Sequence, residues 1–118
     1  MMEMLKTVSN VKQFHDVVLT SSQPVMVNFY AEWSDDSREL EATFLKLADE
    51  YRGRVHFVKV DVDKSIDLMR QYAIQKMPTV MLFLAGEADK IWEAELHRSA
   101  YVAKLDCVLQ THPGRSRA

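Results

Sequence analysis

The residues in this sequence whose types and spacing could do chemistry stand in one stretch, Trp33-Ser34-Asp35-Asp36-Ser37. Two hydroxyls flank two adjacent carboxylates. Adjacent carboxylates with no further ligands in step are weak grounds for a metal site, and no metal or other cofactor is expected. A serine becomes a nucleophile only with a base within hydrogen-bond reach, and His15, His56, His97 and His112 are scattered along the chain. Ser and Asp are also favoured helix N-caps, Asp36 and Glu39 have capping-box spacing, and negative charge suits a helix's first turn. The stretch therefore reads first as the start of a helix, with no catalytic role expected for it as written.

The elements that must position it are legible on both sides. Residues 25–30 form a short, nearly continuous apolar run, which reads as a buried strand feeding directly into a helix. Pro24 bars the preceding helix from running into that strand. The helix that follows is expected to reach about Arg52, with Leu40, Phe44, Leu47, Ala48 and Tyr51 on one face and Gly53 at its C-cap. Upstream, residues 5–8 suit a first strand, and Ser9-Asn10 offers a cap for a helix carrying Val11, Phe14, Val17 and Val18. Downstream, the pattern gives a strand at 55–60 and a short helix to Tyr72 capped by Asp63 or Ser65. A strand at 79–84, a turn at Gly86-Glu87, an edge strand at 90–94 and a helix at 99–110 follow. The order β-α-β-α-β-α-β-β-α implies a mixed sheet with helices on both faces.

Taken together, P-V-M-V-N-F-Y-A-E-W-S-D-D-S at 24–37, Tyr72-Ala73-Ile74, Met77-Pro78-Thr79 and Gly86-Glu87 resemble the thioredoxin family. The resemblance runs from about residue 5 to 109. It implies the thioredoxin fold: an α/β, three-layer α/β/α arrangement with a central mixed five-stranded sheet flanked by four helices. A single domain over 1–112 and a flexible basic tail at 113–118 are expected. The family's active segment ends in W-C-G-P-C, so Ser34 and Ser37 fall on its two redox cysteine positions. Asn28 falls on its buried acid, Lys59 on the lysine near that acid, and Ala42 on the proline that usually breaks the long helix. Without that proline a straighter helix is expected.

The resemblance also implies a groove. Pro78 matches the family's cis-proline, and the residue before it, Met77, would offer backbone groups to an extended peptide. The plain alternative is that Pro78 only sets the angle at which its strand begins. Trp33 matches an exposed aromatic beside the groove, either an anchor for a partner or a ring packed over the helix start. Ala94 matches a glycine that lets substrate backbone approach. With Asp35 and Asp36 between the serines, and Glu32 and Glu39 nearby, the surface is acidic and suits a basic partner.

Disulfide exchange needs one thiolate to attack and a second thiol to resolve, and a serine hydroxyl has neither the acidity nor the soft nucleophilicity. The neighbouring departures point the same way. Asn28 cannot titrate near neutrality, and two carboxylates beside a cysteine would oppose thiolate formation. Replacing cysteines alone would leave the acid and the glycine in place. The preferred reading is therefore a redox-inactive thioredoxin-like protein that binds an extended peptide or protein, with a place as a subunit of a larger assembly left open. The alternative is a thiol-disulfide oxidoreductase whose two cysteines, at 34 and 37, were replaced by serine.

Composition narrows the partners. A net charge of -2 gives no general pull toward nucleic acid, and no apolar run approaches the ~20 residues of a membrane span. The one cysteine, Cys107, excludes an intrachain disulfide. On the last helix it falls nearly opposite the face formed by Tyr101, Val102, Leu105, Val108 and Leu109, which leaves open a Cys107-linked dimer. Residues 1–6 show neither a secretory nor a transit pattern, so a reducing, cytoplasmic location is the default expectation. An insulin-reduction assay on this chain should stay at background, and turnover above it would overturn the sulfur argument.

Overall fold

The computed structural model describes residues 5–111. The proposed basic tail at 113–118, His112 and the first four residues lie outside the described residues. Five strands form one mixed sheet in the order β1-β3-β2-β4-β5: β1 Leu5–Thr7, β2 Val25–Tyr30, β3 His56–Asp61, β4 Thr79–Leu84 and β5 Glu87–Glu93. β1, β3 and β2 run parallel, whereas β4 is antiparallel to β2 and to β5. The helices are α1 Val11–Phe14, α2 Asp35–Glu50, α3 Ile66–Gln71 and α4 Arg98–Thr111. This is the expected three-layer α/β/α arrangement.

Strand periodicity explains why two cores form. Side chains alternate across a strand, so Val25, Val27 and Phe29 enter one core while Met26 enters the other. The same division holds in β4, with Met81 and Phe83 on the first side and Val80 and Leu82 on the second. The first core packs Phe14, Val18, Leu68 and Ile74 against the sheet, under α1 and α3. Phe14 is its hub, with ring centroids 5.2 Å from Tyr72, 5.5 Å from Phe83 and 6.2 Å from Phe29. The second core takes Leu40, Phe44, Leu47, Ala48 and Tyr51 from α2 and Tyr101, Leu105 and Val108 from α4. All five residues of the expected α2 face are buried.

Several local details differ from the sequence pattern. Asn10 does cap α1, accepting from Gln13 N, but the helix then widens into a π-helical turn over His15–Leu19. α2 stops at Glu50, before Gly53, because Tyr51 already leaves helical geometry; Gly53 takes φ 84° in the turn beyond. Ser65 stands at the N-cap of α3 without capping it, since its hydroxyl donates to Ser9 O at 3.0 Å. β5 begins at Glu87, three residues earlier than the apolar pattern indicated, because ladder pairing with β4 and not burial defines an edge strand. Between β4 and β5, Gly86 takes φ 83°, and a Cβ there would lie 2.7 Å from Leu19 O.

α2 and α4 are tied by the Tyr51 hydroxyl, which donates to Asp106 Oδ1 at 2.7 Å. Burial, then that bond to a carboxylate, pushes the phenol up to about 12. Ionisation is thus harder in the folded chain than in the unfolded one, where a tyrosine titrates near 10. The linked stability is fully present below pH ~10 and is lost as pH rises through about 12. Wild type should lose urea midpoint across that window and Tyr51→Phe should lose less; parallel curves would reject the linkage.

Candidate functional site

The site grows from the end of β2. The strand finishes at Tyr30 and α2 starts at Asp35, so the chain must turn within Ala31-Glu32-Trp33-Ser34. Ser34 is the N-cap of α2, and its Oγ accepts from Ser37 N at 3.2 Å. The capping box expected on Asp36 and Glu39 does not form: the N-cap is Ser34, two residues upstream, the last residue in extended geometry, and its own N–H donates to Ala31 O. Ser37 is 4% exposed, and its Oγ accepts from Ala31 N at 3.2 Å. Both hydroxyls thus close the turn onto itself. Their partners are backbone groups, not an imidazole or a carboxylate.

The flanking residues are held outward. Trp33 is 67% exposed, yet its Nε1 donates to Asp63 Oδ2 at 2.8 Å. Asp63 follows β3, whose Asp61 pairs with Tyr30, so the indole is pinned across the strand ends. Arg38 donates to Glu32 O at 2.6 Å and also bonds the Asp35 carboxylate. Asp36 is exposed in the first turn.

Strand register supplies the second half. Phe29 pairs with Thr79 and Thr79 with Glu93, which places Pro78 beside the end of β2 and Ala94 beside Pro78. The Met77–Pro78 bond is cis, and Pro78 O accepts from Ala94 N at 2.7 Å. Met77 is half-buried against the first core, and its N–H and C=O make no hydrogen bond among the described residues. Ala94 is exposed with φ 54°, a left-handed conformation that an L side chain resists. Ala73 and Ala85, both at φ 52°, are further left-handed alanines.

Behind the turn, on the α2 side of the sheet, lies a cavity of about 280 Å³. Asn28 and Lys59 are register partners on its wall, with Tyr30, Ser37, Glu41 and Phe44 around them. Asn28 is 5% exposed, and its Oδ1 accepts no hydrogen bond among the described residues. Lys59 Nζ stands over the Tyr30 ring, 5.4 Å from its centroid, so the lysine settles on an aromatic face. Burial first, then Asp61, Glu32 and Glu41, raises the Tyr30 phenol.

The structure gathers Trp33, Ser34, Asp35, Asp36 and Ser37 at the β2–α2 turn and Met77, Pro78 and Ala94 along the adjoining register line. It does not bring Cys107 there: that thiol is exposed on α4. His15 lies beside Asp16 and His97 beside Glu95, neither of them bonded to a serine. No group of three or more potential metal ligands occurs among the described residues. Sequence reasoning missed Asp63 as the partner of Trp33; the signal was its position just past a strand that pairs with β2. It also missed the strain at Ala94, where only the missing glycine hinted at a left-handed backbone.

A family model described as Thioredoxin matches residues 5–107. The thioredoxin of Acidithiobacillus ferridurans is 35% identical over 96 residues, covering 81% of this chain and 89% of that relative. The thioredoxin of Rickettsia bellii is 37% identical over 76 residues, covering 64% of this chain and 72% of the relative. Among solved structures, that of Malassezia sympodialis thioredoxin superposes with a TM-score of 0.74 at 25% identity, covering 92% of this chain and 90% of that one. Ala94→Gly should raise stability by roughly 0.5–1 kcal/mol, as relief of the left-handed strain exceeds the entropy cost of glycine. A urea midpoint that stays put or falls would refute this.

Proposed function

This chain belongs to the thioredoxin family, and within it we propose a redox-inactive member that works by holding an extended segment of a partner protein. What carries the reading is a contrast across the groove. The Ser34 and Ser37 hydroxyls are spent on backbone amides of the turn, while the Met77 backbone pair beside cis-Pro78 has no partner among the described residues. An extended peptide can satisfy that pair by strand-like addition, with the exposed Trp33 ring as its apolar anchor. Oxygen in place of sulfur leaves no thiolate to attack and no disulfide to store electrons.

The charges give the partner a sign. Glu32, Asp35, Asp36 and Asp63 surround Trp33, with Arg38 turned onto Asp35 and the Glu32 carbonyl. The segment that docks there is basic or neutral. No helix among the described residues is long and apolar enough to cross a membrane. A reducing, cytoplasmic setting and a place as a small subunit of a larger assembly complete the proposal.

A second reading draws on the relatives, whose names are thioredoxin. Under it, the parental sequence has cysteine at 34 and 37 and exchanges disulfides; codons for cysteine at those two positions in the source gene would establish it. The binding reading is tested by titrating extended peptides of basic and acidic composition into the chain by isothermal titration calorimetry. Basic peptides should bind more tightly and lose affinity with salt, and Trp33→Ala should cost about 2 kcal/mol without lowering the melting temperature. Equal binding of acidic peptides, or an indifferent Trp33→Ala variant, would reject it.

A further inference from the structure

β5 closes one side of the sheet, and no strand lies beyond it among the described residues. Its ladder with β4 fixes which backbone groups that outer side shows. Ala94 N donates to Pro78 O, and hydrogen-bonded pairs alternate along an antiparallel ladder, so Trp92 bonds to Val80 and Lys90 to Leu82. The N–H and C=O of Ile91 and Glu93 therefore point away from β4. Neither pair has another backbone or side-chain partner among the described residues. Such a row is a template for an added strand.

The side chains add a pattern to that edge. Opposed residues in a ladder share a face, so Ile91, paired with Met81, stands on the side of the first core. Glu93, two positions along the strand, stands on the same side. Ile91 is nonetheless 54% exposed. Trp92, on the other face, is buried, with Lys90 Nζ 6.0 Å from its ring centroid. An open apolar side chain and a carboxylate thus share one face of an unpaired edge.

Charge chooses the occupant. β5 holds Glu87, Asp89 and Glu93 against the single lysine Lys90. Asp89 is met by Lys104 at 2.9 Å, whereas Glu87 and Glu93 have no ion pair among the described residues. A second copy of this chain is opposed, since antiparallel pairing centred on Ile91 would set each Asp89 opposite the other copy's Glu93. The register shift that leaves Asp89 unpaired with β4 also blunts the edge against its own kind. Repulsion between carboxylates does not act on a basic strand.

We propose that the outer edge of β5 takes an extended basic segment of a partner protein, added as a further strand of the sheet. An apolar residue of that segment lies against Ile91, and a lysine or arginine two positions along meets Glu93. Its backbone bonds the outward N–H and C=O of both. This inference goes beyond the groove at Trp33 and Met77 and does not rest on it.

The probe is acetyl-Thr-Lys-Thr-Val-Thr-Lys-Thr-amide, with glutamate in place of lysine as the charge control. Each is titrated into the full chain and followed by ¹⁵N NMR and amide hydrogen exchange. The Ile91 and Glu93 amides should shift saturably and exchange about fivefold more slowly at saturation, with the acidic peptide about tenfold weaker. Ile91→Pro removes an outward N–H without touching the bonds to β4, and should abolish the saturable shift at Glu93. Glu93→Lys is the second variant, expected to weaken the basic peptide about fivefold should Ile91→Pro fail to fold. Trp33→Ala should leave the β5 shifts unchanged. Shifts confined to Trp33 and Met77 would overturn this proposal while leaving the groove reading in place. Equal binding of the acidic peptide, or undiminished binding by the variant that folds, would also overturn it. So would β5 shifts that grow with protein concentration in the absence of peptide, the mark of a second copy.

Discussion

Everything in this molecule hangs on β2 being buried on both faces. A central strand with a core on each side can present almost nothing but apolar side chains, and Val25, Met26, Val27 and Phe29 are fully buried. That burial fixes register, because a one-residue slip would exchange the two cores. Fixed register in turn sets the line Tyr30, Pro78, Ala94 at the strand ends and leaves the chain a few residues in which to enter α2. The candidate groove is a by-product of that geometry. Strand register positions its two sides, and the Ser34 and Ser37 hydroxyls close the turn between them.

The turn shows how a site can change its chemistry while keeping its shape. Serine at 34 is a good N-cap that satisfies an amide of the helix's first turn, Ser37 N, and serine at 37 satisfies Ala31 N in the turn before the helix. The left-handed Ala94 runs the other way. Its strain is borne by a short hydrogen bond to Pro78 O and by the ladder on either side, and the backbone keeps a glycine's path with an alanine's side chain. Shape has been maintained at positions where glycine would have been easier.

How much of this was legible in the sequence follows from which forces set each feature. Burial patterns announce themselves, so the apolar run at 25–30 and the stripe Leu40, Phe44, Leu47, Ala48, Tyr51 identified the central strand and its helix. Features set by hydrogen-bond geometry were less visible. Ser65 looked like a cap, but its hydroxyl goes to Ser9 O, a partner distant in sequence. Ser34 and not Asp36 caps α2, a choice made by where extended geometry ends. β5 is largely exposed, so its first residues carried no apolar signal. The candidate site was legible through resemblance more than through periodicity. Trp33, Met77, Pro78 and Ala94 have no pattern of their own, while the Trp33–Asp63 bond appears only once β2 and β3 are paired. The cavity needed the structure, for Asn28 in a strand looks merely like a tolerated polar residue.

The contact between Gly86 and the first helix has an evolutionary corollary. What a Cβ at 86 would strike is the carbonyl oxygen of Leu19, part of the main chain where the π-helical turn ends. No exchange of side chain at 19 can withdraw a carbonyl. Compensation between those two positions is closed off, and an inherited change at 86 could be accommodated only by redrawing the hairpin or the helix terminus as a whole. The loop that looks freest to vary is, through one main-chain atom, among the least able to drift.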